Sequence, residues 1–162
     1  MTKNSTLWKA ITKQKKKNKK KITEYDRLRP LSYHGADVFV LCFSIADRDS
    51  LASISQKWVP EVRNFSRKVP LVLVGTKSDL RMDAKYKAAI EKQKTEFGDA
   101  KNRGFEMAPP EEAKALCKKI NAFCYLECSA KTKSGVSQVF ESCLRAAMLA
   151  KEREKKKACS MM

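Results

Sequence analysis

Three apolar runs and three stretches of helical period set the hydrophobic pattern of the chain. Residues 36–43 (Ala-Asp-Val-Phe-Val-Leu-Cys-Phe) are almost continuously apolar, bounded by Gly35 and by a polar stretch at 46–50. Such runs predict strands covered on both faces. From Ser50 to Phe65 the period changes, with Leu51, Ile54, Trp58, Val62 and Phe65 spaced by three or four. This spacing predicts an amphipathic helix, with Trp58 as a core anchor and Asp49 or Ser50 placed to cap its start. Residues 69–74 read as a second buried strand ending at Gly75, and residues 122–128 as a third. Helices are expected at 111–120, after Pro109-Pro110, and from Ser134 to about Lys151.

Alternating strands and helices in this order predict a parallel α/β sheet with right-handed crossovers. The connection between Leu80 and Tyr125 is long for such a unit. Its first part, residues 83–97, carries Tyr86, Ile90 and Phe97 among many charges and reads as a surface helix; residues 98–107 read as loop.

Charge divides the chain further. The formal net charge is +17, but residues 1–23 hold nine Lys and no acid, and residues 151–157 carry a net +3. The body between is only mildly basic, whereas a nucleic-acid-binding fold carries a basic face on its folded part. Nucleic acid is therefore a weak expectation, resting on residues 13–21 alone. The expected organisation is a mobile basic arm at 1–23, a folded domain at 24–150 and a polybasic tail at 151–162. Cys42, Cys117, Cys124 and Cys143 stand in apolar segments without a zinc-like pair or a secretory signal, which reads as reduced core thiols. His34, the single histidine, reads as a loop residue. No apolar stretch reaches the roughly 18 residues needed to span a bilayer.

The candidate chemistry lies where two strands end. Ligands of an open parallel sheet gather beyond the carboxyl ends of its strands, and there the second strand runs into Gly75-Thr76-Lys77-Ser78-Asp79 and the third into Glu127-Cys128-Ser129-Ala130-Lys131. A carboxylate at Asp79 can accept hydrogen bonds from both N1–H and the exocyclic amine of guanine, which adenine cannot reproduce. The amide of Ala130 can donate to guanine O6, and the alkyl stems of Lys77 and Lys131 can flank the ring. Capping and turn chemistry is the competing account of either cluster taken alone. The chain finishes in Cys159-Ser160-Met161-Met162, the form of a prenylation signal, with terminal Met favouring a farnesyl group. One prenyl chain binds a bilayer marginally, so the basic residues of 151–157 read as the second signal.

On these residues the chain resembles the Rho branch of the Ras-like small GTPases. Residues 25–33 (Tyr-Asp-Arg-Leu-Arg-Pro-Leu-Ser-Tyr) look like the helical part of switch II, 58–63 like the third helix, and 72–81 and 127–131 like the two base-recognition segments. Residues 83–97 look like the Rho-specific insert helix, and 159–162 like its prenylation box. The resemblance implies the P-loop NTPase-like three-layer α/β fold, here its C-terminal part only, with about three retained strands. It implies GTP and GDP as ligands, with Thr76, Lys77, Asp79, Ser129, Ala130 and Lys131 around the base and a prenyl group on Cys159.

Residues 20–24 (Lys-Lys-Ile-Thr-Glu) stand where the family has Asp-x-x-Gly-Gln, and no Gly-rich loop with Lys-Ser/Thr occurs. The residues that hold phosphate and Mg²⁺ in the intact family are therefore missing, and catalytic hydrolysis is not expected. The expected partners are an anionic membrane surface, a prenyltransferase, Rho-family effectors and regulators, and a partner chain over the exposed sheet edge. The expected location is the cytoplasmic face of the plasma membrane, with a cytosolic pool.

Overall fold

The structure is a computed structural model that describes residues 28–97 and 107–159. The arm expected at 1–23, most of the expected loop at 98–107 and residues 160–162 lie outside the described residues. The described residues divide between two units, 28–36 in the first and 37–97 with 107–159 in the second. In the first, a short 3-10 helix spans Arg29–Tyr33 with Pro30 at its start. The Ser32 hydroxyl donates to Arg29 O at 2.7 Å, and Gly35 turns the backbone at φ +74°.

In the second unit, β1 (Phe39–Ser44), β2 (Leu71–Thr76) and β3 (Cys124–Cys128) form a parallel sheet in the order β1-β2-β3. Phe39 pairs with Leu71, and Val72 with Cys124. The central strand is the best buried: Leu71, Val72, Leu73 and Val74 are all at 0–1% exposure. Each such side chain contributes roughly 1.5–3 kcal/mol through removal from water. Gly75, expected to end this strand, lies within it. A Cβ there would stand 3.0 Å from Ile45 Cγ2 and 3.2 Å from both Phe43 Cζ and Tyr125 Oη, so the position admits no larger residue without displacement.

Helices cover both faces. Along one, α1 (Arg48–Ser53), a π turn (Ile54–Trp58) and α2 (Val59–Phe65) run end to end and bury Leu51, Ile54 and Val62. Asp47 caps this helix by accepting from Ser50 N, so neither Asp49 nor Ser50 is the cap. Ser50 serves the preceding turn instead: its hydroxyl accepts from Ser44 N at 3.0 Å and donates to Asp47 O. The π turn has its cause two residues on. Pro60 has no N–H for the bond a regular helix would require, and the widened turn, closed by Val59 N–H to Ile54 O, absorbs the defect. Trp58 is only partly buried, with Lys57 Nζ 4.8 Å from its ring centroid, and Phe65 is half exposed; the core anchors are Leu51, Ile54 and Val62.

The insert region forms α3 (Ala84–Phe97), capped by Asp83 Oδ1 accepting from the amides of Lys85 and Tyr86. Then follow α4 (Pro110–Lys119) and, after β3, the long α5 (Val136–Cys159). The last helix packs Val139, Cys143 and Ala146 on Val72 and Val74. It continues well beyond Lys151 because the charged tail consists of strong helix formers, with cations toward the C-terminus where the helix dipole favours them. No helix among the described residues is long and apolar enough to cross a membrane.

One expectation fails at β1. The unbroken apolar run suggested cover on both faces, but burial alternates: Phe39, Leu41 and Phe43 are buried while Val40 is 42% exposed and Cys42 is exposed. Register explains it. Val40 and Cys42 stand beside Val72 and Val74 on the side of α5, but that helix lies over β2 and β3.

Candidate functional site

The carboxyl ends of β2 and β3 lie side by side, Thr76 paired with Cys128, so the segments that follow emerge at one pole of the sheet. After β2 the chain turns through Lys77, a non-glycine residue at φ +65°, into a 3-10 turn over Ser78–Arg81. The left-handed conformation costs about 1–2 kcal/mol for a residue with a Cβ. It is repaid by aiming Asp79 across to the other loop. Ser129, fully buried, donates its hydroxyl to Asp79 Oδ1 at 2.5 Å and accepts from Thr132 N at 3.3 Å. Its own amide donates to Ser134 O at 2.9 Å, which closes the loop that begins α5.

Gly135 ends that loop at φ +74°, where a Cβ would collide with Glu127 O and lie 3.2 Å from Cys128 Cα. The close backbone approach requires glycine. Asp79 Oδ2 makes no hydrogen bond to the described residues, so one carboxylate oxygen is committed to the scaffold and one remains available.

The six residues expected around the site therefore play different parts. Asp79 and Ser129 are in contact. Lys77, Ala130 and Lys131 are exposed on the two loops. Thr76 ties β1 to β2: its hydroxyl donates to Phe43 O at 2.9 Å, and Ile45 N donates to Thr76 O. Cys159 closes α5, whose 24 residues extend about 36 Å from the base loops.

A clamp that the sequence did not reveal holds the two loops in place. Arg81 Nε and one terminal nitrogen donate to the two oxygens of Glu127, both at 2.7 Å, and that terminal nitrogen also reaches Ala108 O at 2.9 Å. The Tyr125 hydroxyl donates to the same carboxylate, and its ring lies nearly parallel to Phe43 at 6.1 Å. Burial works to raise the Glu127 carboxyl, but the hydrogen bonds from Arg81 and Tyr125, with the Arg81 charge, prevail and hold it below its ordinary value. Burial, then the bond to Glu127, pushes the Tyr125 phenol well above its usual range. The available signal was the pair of opposite charges directly beside the two motifs, but a separation of 46 residues hides such pairing from any local pattern.

A model of the Ras family matches residues 22–149. The chain belongs to the Ras family. Guanine-nucleotide binding with Mg²⁺ goes with that family, and this Ras-family sheet, three parallel strands between helical layers, is a partial version of its α/β fold. The residues present fit the base half of such a ligand, through the free oxygen of Asp79 and the braced loop at Ser129. They do not fit the phosphate half. None of the five glycines stands in a Gly-x-x-x-x-Gly-Lys arrangement, and among the described residues no group of three or more His, Cys, Asp or Glu is placed to hold a metal ion.

Proposed function

We propose that this Ras-family chain is a Rho-branch signalling protein that reads guanine but does not hydrolyse GTP. The Ser129–Asp79 hydrogen bond carries this reading, because it joins the two loops through one carboxylate oxygen of Asp79 and leaves the other without a partner among the described residues. Guanine N1–H and the exocyclic amine would donate to Asp79, the Ala130 amide would donate to O6, and the stems of Lys77 and Lys131 would flank the ring. Thr76 would support the loop from behind. Phosphoryl transfer needs fixed amides around the phosphates, a metal ion and an aligned water, and this sequence has no loop of the required form. Purified protein should therefore release phosphate from GTP no faster than its Asp79→Ala variant; a rate clearly above that control would refute the reading.

The location reading rests on the tail. Prenylation of Cys159, beside the basic residues Lys151, Arg153, Lys155, Lys156 and Lys157, would place the protein on the cytoplasmic face of the plasma membrane, with each well-placed cation adding about 1 kcal/mol. Mass spectrometry of the C-terminal peptide from a eukaryotic host tests it: an unmodified Cys159 still followed by Ser160 to Met162 rules the anchor out.

A second reading, a non-catalytic module that engages Rho regulators or effectors, is favoured by apolar surface on the α5 side of the sheet. Val40 and Cys42 are exposed on β1, and Phe140, Leu144 and Met148, spaced by four along α5, are 57–70% exposed. A partner chain pairing with the β1 edge would cover Val40 and Cys42.

A further inference from the structure

At the pole opposite the base loops the second unit holds an open cleft of about 380 Å³, within the range of small-ligand sites. It lies between the end of α2, the approaches to β2 and β3, and the later turns of α5. Among the described residues four cations line it, Arg63, Arg67, Lys68 and Arg153, against one carboxylate, Glu154. Arg67, Lys68 and Arg153 form no ion pair among the described residues, whereas nearby Lys151 is bound to Asp37 at 2.9 Å.

The cleft is a built feature rather than a loose collection of surface charges. Arg63 donates one terminal nitrogen to Arg67 O at 3.1 Å and Val69 O at 2.8 Å, which folds the connection after α2 over its own guanidinium and fixes where Arg67 and Lys68 emerge. Burial of that guanidinium lowers its pKa, the direction expected of a partly desolvated cation without a counter-charge. The rest of the lining is largely apolar, with Phe123 before β3 and Leu149 on α5 partly exposed. Asn121, in a left-handed turn at φ +52°, adds an amide to the rim.

We infer that this cleft binds a phosphorylated polyol, its phosphate held by Arg63, Arg67, Lys68 and Arg153 and its carbon ring against Phe123 and Leu149. A phosphomonoester carries about −1.5 to −2 charge and accepts the paired N–H groups of arginine, which a single carboxylate ligand would leave under-neutralised. Asn121 and Glu154 are placed to hydrogen-bond the polyol hydroxyls. The same chemistry occurs on free sugar phosphates and on inositol lipid headgroups.

The test uses the full chain, with calorimetry of inorganic phosphate and inositol trisphosphate, and flotation with phosphatidylcholine vesicles containing either phosphatidylinositol bisphosphate or phosphatidylserine at matched charge. The expected result is saturable binding of the soluble trisphosphate that weakens about tenfold in Arg67→Ser/Lys68→Ser and stays unchanged in Lys85→Ser/Lys87→Ser, a variant of equal charge on α3. Glu154→Gln should tighten inorganic phosphate about twofold by removing the one carboxylate that the described residues place in the cleft. Preference for the inositol lipid over phosphatidylserine would assign the headgroup as the source, and soluble binding without that preference would assign a free phosphate; either supports the site. Absence of soluble binding, even with vesicle binding retained, would overturn it, as would equal losses in the two double variants or no gain in Glu154→Gln.

Discussion

The two margins of the sheet are finished to different degrees. At the base-loop end of β2 and β3 the side chains of Thr76, Asp79, Arg81, Tyr125, Glu127 and Ser129 all have partners, and the enclosed Ser129 is fully buried. Along β1, Val40 and Cys42 face solvent although they belong to an apolar run. The contrast shows that the two loops after β2 and β3 are braced mainly by interactions made within residues 76–135. From the β1 side only Phe43 and Ile45 join them, through the Thr76 hydroxyl bond to Phe43 O, the Phe43 ring beside Tyr125 and the bond from Ile45 N to Thr76 O.

The sharpest way to break the finished margin is at Gly135. Gly135→Ala must strain a left-handed backbone and drive a Cβ into Glu127 O, so the expected loss is at least about 2 kcal/mol, with weakening of any ligand held by the loop. Gly35→Ala provides the control: it has the same φ but nothing within 4 Å of the added Cβ, and should cost only about 1 kcal/mol. Equal losses in thermal or urea unfolding would show that the close approach to Glu127 does not matter.

Next in size is Arg81→Ala, which leaves the Glu127 carboxylate partly buried without its principal partner and should cost roughly 1.5–3 kcal/mol. The pH dependence carries a sign. In the native chain the Glu127 pKa is depressed, so its contribution is present above the unfolded value of about 4.3 and is lost as pH falls through the lower folded value. In Arg81→Ala, burial would dominate and raise that pKa. Melts between neutral and acid pH should then show this variant losing less stability than the native chain as the carboxylate protonates. A larger acid-induced loss would contradict the clamp.

At the open margin, Val40→Lys should change stability by no more than about 0.5 kcal/mol, since the side chain is already 42% exposed. It should nevertheless reduce self-association or partner capture, as lysine on a sheet edge does. Light scattering of both forms across a concentration series checks this, and unchanged association would remove β1 from the account.

The same contrast explains what was legible in the sequence. Residues 71–74 are buried on both faces, so their unbroken apolar run was a faithful guide; residues 39–44 show a similar run, and nothing local distinguished a covered face from an open one. That residues 77–81 and 129–135 follow adjacent strands could be read because each segment is contiguous with its strand. The Arg81–Glu127–Tyr125 clamp could not, since it exists only once β2 and β3 are adjacent. Pro60 lies in plain view within the helical pattern, but the π turn it provokes is a backbone adjustment that side-chain period does not register. The last helix outruns its expected end because hydrophobic period stops near Lys151, whereas helix propensity does not.

The central claim, that the base-reading half works without the phosphate-binding half, is tested most directly by calorimetric titration of the full chain with GDP and ADP, alongside Asp79→Ala. The predicted result is weak but measurable GDP binding, at least about tenfold tighter than ADP, with that preference lost in the variant. Equal affinity for both nucleotides, no detectable GDP binding, or an Asp79→Ala chain that still prefers GDP would contradict it.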